Sequence, residues 1–307
     1  MSSNKEDQYF FNRCEQLIPR ETEPRFTDHV SKYATILEEV VNFGSQVLTW
    51  EVKQLKNEEY IGTPLMLLRE SLDLTDSCSI LLSKGAADSA KVLTRSLFEL
   101  FLSVGYLCKD ETKKRSYAYM LSSILDDIKY NTSVMKHYSK KNDKIKKPLN
   151  EDQIREIEEV ILGRESLFLM PGYEDAYNYY CVETERRKQV KNNRKLENWY
   201  SYYDGPSNLR DLSAELNAEE AYIFFYSKYS KAAHGNDSFL GKMVSSGEHS
   251  SEMVQLRSFS DLQSVFQYIF MFSTSILETY LSTILPERSS ELKLFRSWNR
   301  QEMAKLM

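Results

Sequence analysis

LLSKGAADSAKVLTRSLFELFLSVGYL, residues 81–107, decides the fold class. Gly85 ends one helix, because glycine readily takes the left-handed conformation that terminates helices. A second helix follows at once, from Ala86 to about Leu107. It is apolar nearly all round, which predicts a central place in a bundle. From Val92 to Cys108 its only charged residues are Arg95 and Glu99.

On the upstream side, Thr27 is expected to cap a long helix running to about Asn57, with Val30, Tyr33, Ile36, Leu37, Val40 and Val41 at helical spacing. Thr63 and Pro64 form a cap and first-turn pair for the next helix, which carries Leu65, Leu68, Leu72 and Leu82. On the downstream side, Asp110 is expected to cap a helix to about His137. Asn150 with Gln153 and Asn217 with Glu220 are two capping-box patterns. The second of these opens a helix from Ala218 to His234, with Gly235 as its terminator. Ser260 and Gln263 open a long apolar helix to about Leu285, Pro286 stops it, and a short helix from Glu291 to Lys305 closes the chain. Nowhere does period-2 alternation persist between hairpin turns, so no substantial sheet is predicted. The predicted fold is all-α: a multi-helix bundle with long helices and a basic, Tyr-rich middle elaboration.

Composition supports this. Ten glycines and seven prolines in 307 residues encode few turns, and few turns in a long chain mean long helices. A formal charge of −5 gives no bulk argument for a nucleic-acid partner. Cys14, Cys78, Cys108 and Cys181 are too dispersed for a metal pair or a disulfide framework, so a reducing, cytoplasmic setting is expected. The polar start MSSNKEDQYF lacks the apolar core of a signal peptide. The greasiest stretch, Leu262–Leu285, is interrupted by Gln263, Gln267 and Glu278 and reads as a buried helix, with no membrane partner. The expected organisation is an N-terminal arm and long helix over residues 1–60, then a bundle over 61–307 with an elaboration at about 138–210.

Three features carry chemistry. Arg95 and Glu99 lie four apart on one helix face, and charges in a central helix are costly unless paired. They are read either as a buried pair fixing helix register or as the lining of a polar pocket. Ser227, Ser230 and His234 share one face of the predicted Ala218–His234 helix, opposite Tyr222, Phe225, Tyr226 and Tyr229. A histidine in a last helical turn sits at the negative end of the dipole and suits proton transfer near neutral pH, or else merely satisfies the last carbonyls. The third feature is a pair of basic segments, 136–147 (KHYSKKNDKIKK) and 186–195 (RRKQVKNNRK), with Tyr138, Trp199, Tyr200, Tyr202 and Tyr203 nearby. Cations and stacking rings suit RNA, although a charge run is more often a solvated face. His29, His137, His234 and His249 are scattered, and no metal site or cofactor is expected.

Residues 81–107 together with WYSYYDGPSNLRDLSAELNAEEAYIFFYSKYSKAAHGN, residues 199–236, resemble an uncharacterised bacterial helical family. In it, a Gly-Ala then Arg-x-x-x-Glu helix precedes a tyrosine- and serine-bearing helix ending in His-Gly. That arrangement is similar to the HEPN superfamily (higher eukaryote and prokaryote nucleotide-binding), many of whose members are ribonucleases in toxin–antitoxin and phage-defence systems. The resemblance implies Arg95, Glu99 and His234 as catalytic residues, with Ser227, Lys228, Ser230, Lys231 and Asn236 binding substrate. It also implies a metal-independent endoribonuclease with no cofactor, RNA as partner, and a homodimer. Where HEPN ribonucleases carry an arginine upstream of the histidine, this chain has Lys228 and Lys231. Two other readings stand beside this one: a catalytically inert helical interaction protein built on its 20 Tyr and 15 Phe, and a small-molecule or nucleotide sensor pocket around Arg95 and Glu99.

Overall fold

The computed structural model describes residues 24–54, 59–138, 148–189, 196, 198–233, 243–247, 250–253, 257 and 261–305. It is an all-α multi-helix bundle. In chain order the helices are α1 (Pro24–Gln54), α2 (Gly62–Ser83), α3 (Ala87–Lys109), α4 (Thr112–His137), α5 (Glu151–Ser166), α6 (Tyr173–Lys188), α7 (Leu209–Glu215) and α8 (Glu219–Ala221). A π-helical turn (Tyr222–Tyr226) leads into α9 (Ser227–Ala233), and α10 (Leu262–Thr283) and α11 (Ser289–Ala304) complete the set. Among the described residues the only sheet is a small antiparallel hairpin, β1 (Met243–Gly247) with β2 (Ser250–Met253).

Helix stops were read correctly more often than helix starts. Gly85 adopts φ 69°, and the Ala86 and Gly85 N–H groups bond the Leu81 and Leu82 carbonyls, both at 2.9 Å. That is the paired arrangement a left-handed terminator provides. The Asn150 capping box closes in both directions, with Gln153 N–H to Asn150 Oδ1 at 2.8 Å and Asn150 N–H to Gln153 Oε1 at 3.1 Å.

Four predicted starts are corrected. Thr27 lies inside α1, which begins at Pro24, where the ring presets the first-turn φ. Thr63 lies inside α2, and its hydroxyl is buried without a hydrogen-bond partner among the described residues. Asp110 gives way to Glu111 as the residue before α4, in the left-handed conformation at φ 47°. Asn217 also takes the left-handed region, at φ 56°, so it cannot hold the extended geometry of an N-cap; Ala218 stands there without a side-chain bond. Ser260 lies outside the described residues.

The described residues divide into two compact units, those within 1–57, 64–108 and 216–307, and those within 58–63 and 109–215. The stretch 138–210 falls inside the second unit, which also takes in α4.

The core of the first unit is aromatic. α10 buries twelve residues along its length, including Phe266, Phe270, Phe272 and Tyr280, and this burial accounts for its greasy composition. No single helix among the described residues is long and apolar enough to cross a membrane. Tyr33 of α1 stacks on Phe266 at 4.5 Å, and Phe43 stacks on Phe295 of α11 at 4.4 Å. Thr75 of α2 and Ser273 of α10 share a buried hydroxyl–hydroxyl bond of 2.7 Å. Cys78 and Cys108 are buried free thiols whose pKa values burial pushes up to about 12, so they behave as small apolar residues.

The second unit is built around α4. Tyr117, Ala118, Leu121 and Ile124 pack with Phe168, Tyr173, Ala176, Leu196 and Tyr202. Tyr177, Tyr179, Tyr180 and Tyr203 pack against this core, partly buried. Phe168 stacks on Tyr177 at 4.2 Å, and Tyr179 lies 4.6 Å from Tyr203. Three residues flanking this core, Glu111, Tyr203 and Asp204, hold left-handed φ between 47° and 59°, each at a cost of about 1–3 kcal/mol that the surrounding packing must offset.

Glu183 is buried on α6 and accepts from Arg186 at 2.6 and 2.7 Å and from Arg187 at 2.6 Å. The Arg186 bonds, opposed by burial and joined by Arg187, hold its carboxyl down to about 2, against an ordinary 4.5. Because the folded value is the lower one, this stabilisation is present in full above pH 4.5 and is lost as pH falls toward 2. Both arginines reach solvent, which screens the effect. Urea midpoints measured across this window are expected to fall more steeply in the wild type than in Glu183→Gln.

Candidate functional site

Arg95 and Glu99 are not a sealed ion pair. Their side chains are 25% and 41% exposed, and Nη2 of Arg95 lies 3.0 Å from Oε1 of Glu99. A third group closes the arrangement. Arg95 Nη2 donates to the Tyr226 hydroxyl at 2.7 Å, and that hydroxyl donates to Glu99 Oε1 at 3.0 Å. The guanidinium carbon also lies 4.9 Å from the centre of the Tyr226 ring. Arg95 Nε is buried and has no hydrogen-bond partner among the described residues.

Local structure brings Tyr226 to this corner. Residues 222–226 form a π turn, in which the Ser227 N–H bonds the Tyr222 carbonyl five residues back. Such turns insert an extra residue and recur at functional sites. Phe225 anchors the turn from within: it is fully buried and meets Phe98, Phe272, Tyr268 and Tyr229 at ring separations of 4.4–5.7 Å. Tyr222 stacks on Tyr226 at 5.1 Å. Burial raises the Tyr226 pKa, which the bond from Arg95 opposes and the Glu99 charge reinforces. At neutral pH its phenol is a hydrogen-bond donor and cannot serve as a base.

A second cation–tyrosine pairing lies one helical turn upstream. Lys91 bonds Asp88 at 2.8 Å and Asp261 at 2.6 Å, with Tyr229 6.0 Å away. Burial alone would lower the Lys91 pKa, but the bonds to Asp261 and Asp88 outweigh it and raise the value above the usual lysine range. Burial likewise pushes the Tyr229 phenol up to about 12. α3 thus presents two cations, four residues apart, to two tyrosines three apart.

Of the site residues predicted from sequence, Arg95 and Glu99 come together, joined by Tyr226, a residue whose position in sequence marks it only as part of an aromatic face. Ser227 is exposed, and its hydroxyl bonds the Tyr222 carbonyl of its own helix at 3.2 Å. Lys228 is exposed and Ser230 half-buried. His234, Asn236 and the Lys231 side chain lie outside the described residues. Among the described residues no cluster of His, Cys, Asp and Glu suits a metal ion.

The basic segments are described only in part. Of 186–195, Arg186 and Arg187 are held by Glu183 and Lys188 by Glu185; 190–195 lie outside the described residues. Of 136–147, only 136–138 are described. The ring Tyr202, expected beside them as a stacking surface, is 3% exposed, and Trp199 packs edge-on to Tyr119 at 5.2 Å. Tyr202 is core because its apolar ring contributes more when buried in this tyrosine cluster than when exposed as a platform.

The protein is an all-α bundle in which α3 is tied by an Arg–Glu–Tyr corner to an aromatic π turn. Residues 63–251 match DUF5677, a family of unknown function, and the chain belongs to that family. No curated protein and no solved structure matches the chain. The matched stretch contains Arg95, Glu99 and Tyr226.

Proposed function

We propose that this protein is an RNA-acting protein of HEPN-like character, a metal-independent ribonuclease effector of the bacterial toxin or phage-defence kind, working in the cytoplasm as a homodimer. The observation that carries this reading is the Arg95–Glu99–Tyr226 corner. It joins the charged pair to the π turn that leads into Ser227–Ala233, the helix that carries Ser230. In this reading His234 transfers the proton, the substrate 2′-hydroxyl is the nucleophile, and Arg95 holds the phosphate through guanidinium N–H groups that Tyr226 and Glu99 do not take.

The alternative is a catalytically inert interaction protein. It is favoured by the way Glu99 and Tyr226 already engage Arg95, and by the lysines that stand upstream of His234 in place of arginine. Incubating the purified protein with total RNA in excess chelator separates the two. Cleavage present in the wild type and lost in His234→Ala and Arg95→Ala is the expected result. Cleavage that survives His234→Ala removes the histidine from the mechanism, and no cleavage by the wild type leaves the inert reading.

A further inference from the structure

The second unit contains a cavity of about 660 Å³ that the proposed function does not use. Its size falls within the roughly 300–1,000 Å³ of small-molecule pockets. Three tyrosines, Tyr60, Tyr117 and Tyr203, supply aromatic wall, and charged groups of both signs reach it from α4 and α6.

The charges identify the ligand. Lys114 is already committed: its ammonium lies 3.3 Å from Glu111 and 4.2 Å from the centre of the Tyr203 ring. That leaves Lys113 of α4, whose ammonium lies 5.8 Å from the centre of the Tyr60 ring, and Asp175 of α6. Neither has an ion-pair partner among the described residues. One cation and one anion therefore remain in a cavity walled by rings. A purely cationic guest would leave Lys113 unpaired and set a further cation beside it and Lys114. A phosphate dianion would gain Lys113 but face Glu111 and Asp175 as well. A guest carrying one charge of each sign and a flat apolar group satisfies all three features.

We propose that this cavity binds a small zwitterion bearing an aromatic ring, of the chemical class of aromatic amino acids and their short peptides. Lys113 receives its carboxylate, Asp175 its ammonium, and the tyrosines its ring. Burial, with Asp175 and Glu111 nearby, pushes the Tyr203 phenol up to about 12, so it stays protonated as a further donor.

The test is calorimetric titration of the full chain with L-phenylalanine, L-tyrosine and L-tryptophan and with their glycyl dipeptides. Tryptamine, which lacks the carboxylate, and indole-3-propionate, which lacks the ammonium, serve as deletions. The expected result is saturable binding of at least one amino acid or dipeptide, about tenfold tighter than its single-charge analogues, the scale of one charge-assisted hydrogen bond. Whether the free amino acid or the dipeptide binds more tightly identifies the source. Lys113→Gln should erase the preference over tryptamine and Asp175→Asn the preference over indole-3-propionate, with unfolding curves unchanged because both side chains are exposed. No saturable binding at millimolar concentration, equal affinity for the analogues, or tighter binding of adenosine 5′-monophosphate would overturn the assignment. None of these outcomes depends on whether the protein cleaves RNA.

Discussion

Replacing Phe225 with alanine is expected to lower the free energy of unfolding by about 3–5 kcal/mol, the range for deleting a fully buried phenylalanine. The ring has no solvent exposure and touches four others drawn from α3, α9 and α10. No rearrangement of a single neighbour fills the space it leaves. Phe224 is the internal control. It is 70% exposed on the same π turn, and Phe224→Ala should change stability by no more than about 0.5 kcal/mol. Urea unfolding followed by far-ultraviolet circular dichroism measures both. Equal, small effects in the two variants would mean that the π turn is not anchored through Phe225. The substitution has a second consequence. Phe225 is adjacent to Tyr226 in the chain, so loosening it frees the phenol that bridges Arg95 and Glu99. Any activity of that corner should fall even where the variant remains folded.

Gly172→Ala should destabilise the second unit by about 2–6 kcal/mol, from two sources that add. Gly172 holds φ +89° as the residue before α6, a conformation that strains any residue with a β-carbon. A β-carbon there would also lie 2.2–2.6 Å from the ring of Tyr117. The ring cannot simply swing aside, because Tyr117 is buried and lies 5.1 Å edge-on to Tyr173. Overpacking of this kind costs about 1–3 kcal/mol. Tyr117 also lines the cavity of the second unit, so the near-ultraviolet tyrosine signal and zwitterion binding should change together. A Gly172→Ala protein with wild-type stability and an unchanged tyrosine spectrum would contradict this packing.

The candidate site was half legible in the sequence. Arg95 and Glu99 stood out because two charges four residues apart in an otherwise apolar helix need an explanation. Their partner did not stand out: Tyr226 is one of 20 tyrosines, and nothing in its immediate neighbours distinguishes it from Tyr222 or Tyr229. The available signal was indirect, in that a half-buried guanidinium requires an acceptor and an aromatic face from some other helix. The cavity of the second unit was not legible at all. Tyr60, Lys113, Asp175 and Tyr203 are ordinary surface residues in sequence, spread over α4, α6 and the short 3₁₀ segments Glu59–Ile61 and Trp199–Asp204, and the left-handed conformations at Glu111 and Tyr203 carry no glycine to announce them.

Helix class, the stop at Gly85, the box at Asn150 and the burial of α10 are consequences of residues a few positions apart, and side chains within one or two turns suffice to specify them. The Arg95–Tyr226 bond joins residues 131 positions apart, and Tyr173 and Tyr202 became core because α4 was there to cover them. Contacts of that range depend on which surfaces the packed helices present to one another. A local pattern cannot encode that choice, because the same amphipathic face fits many partners until the whole chain selects one.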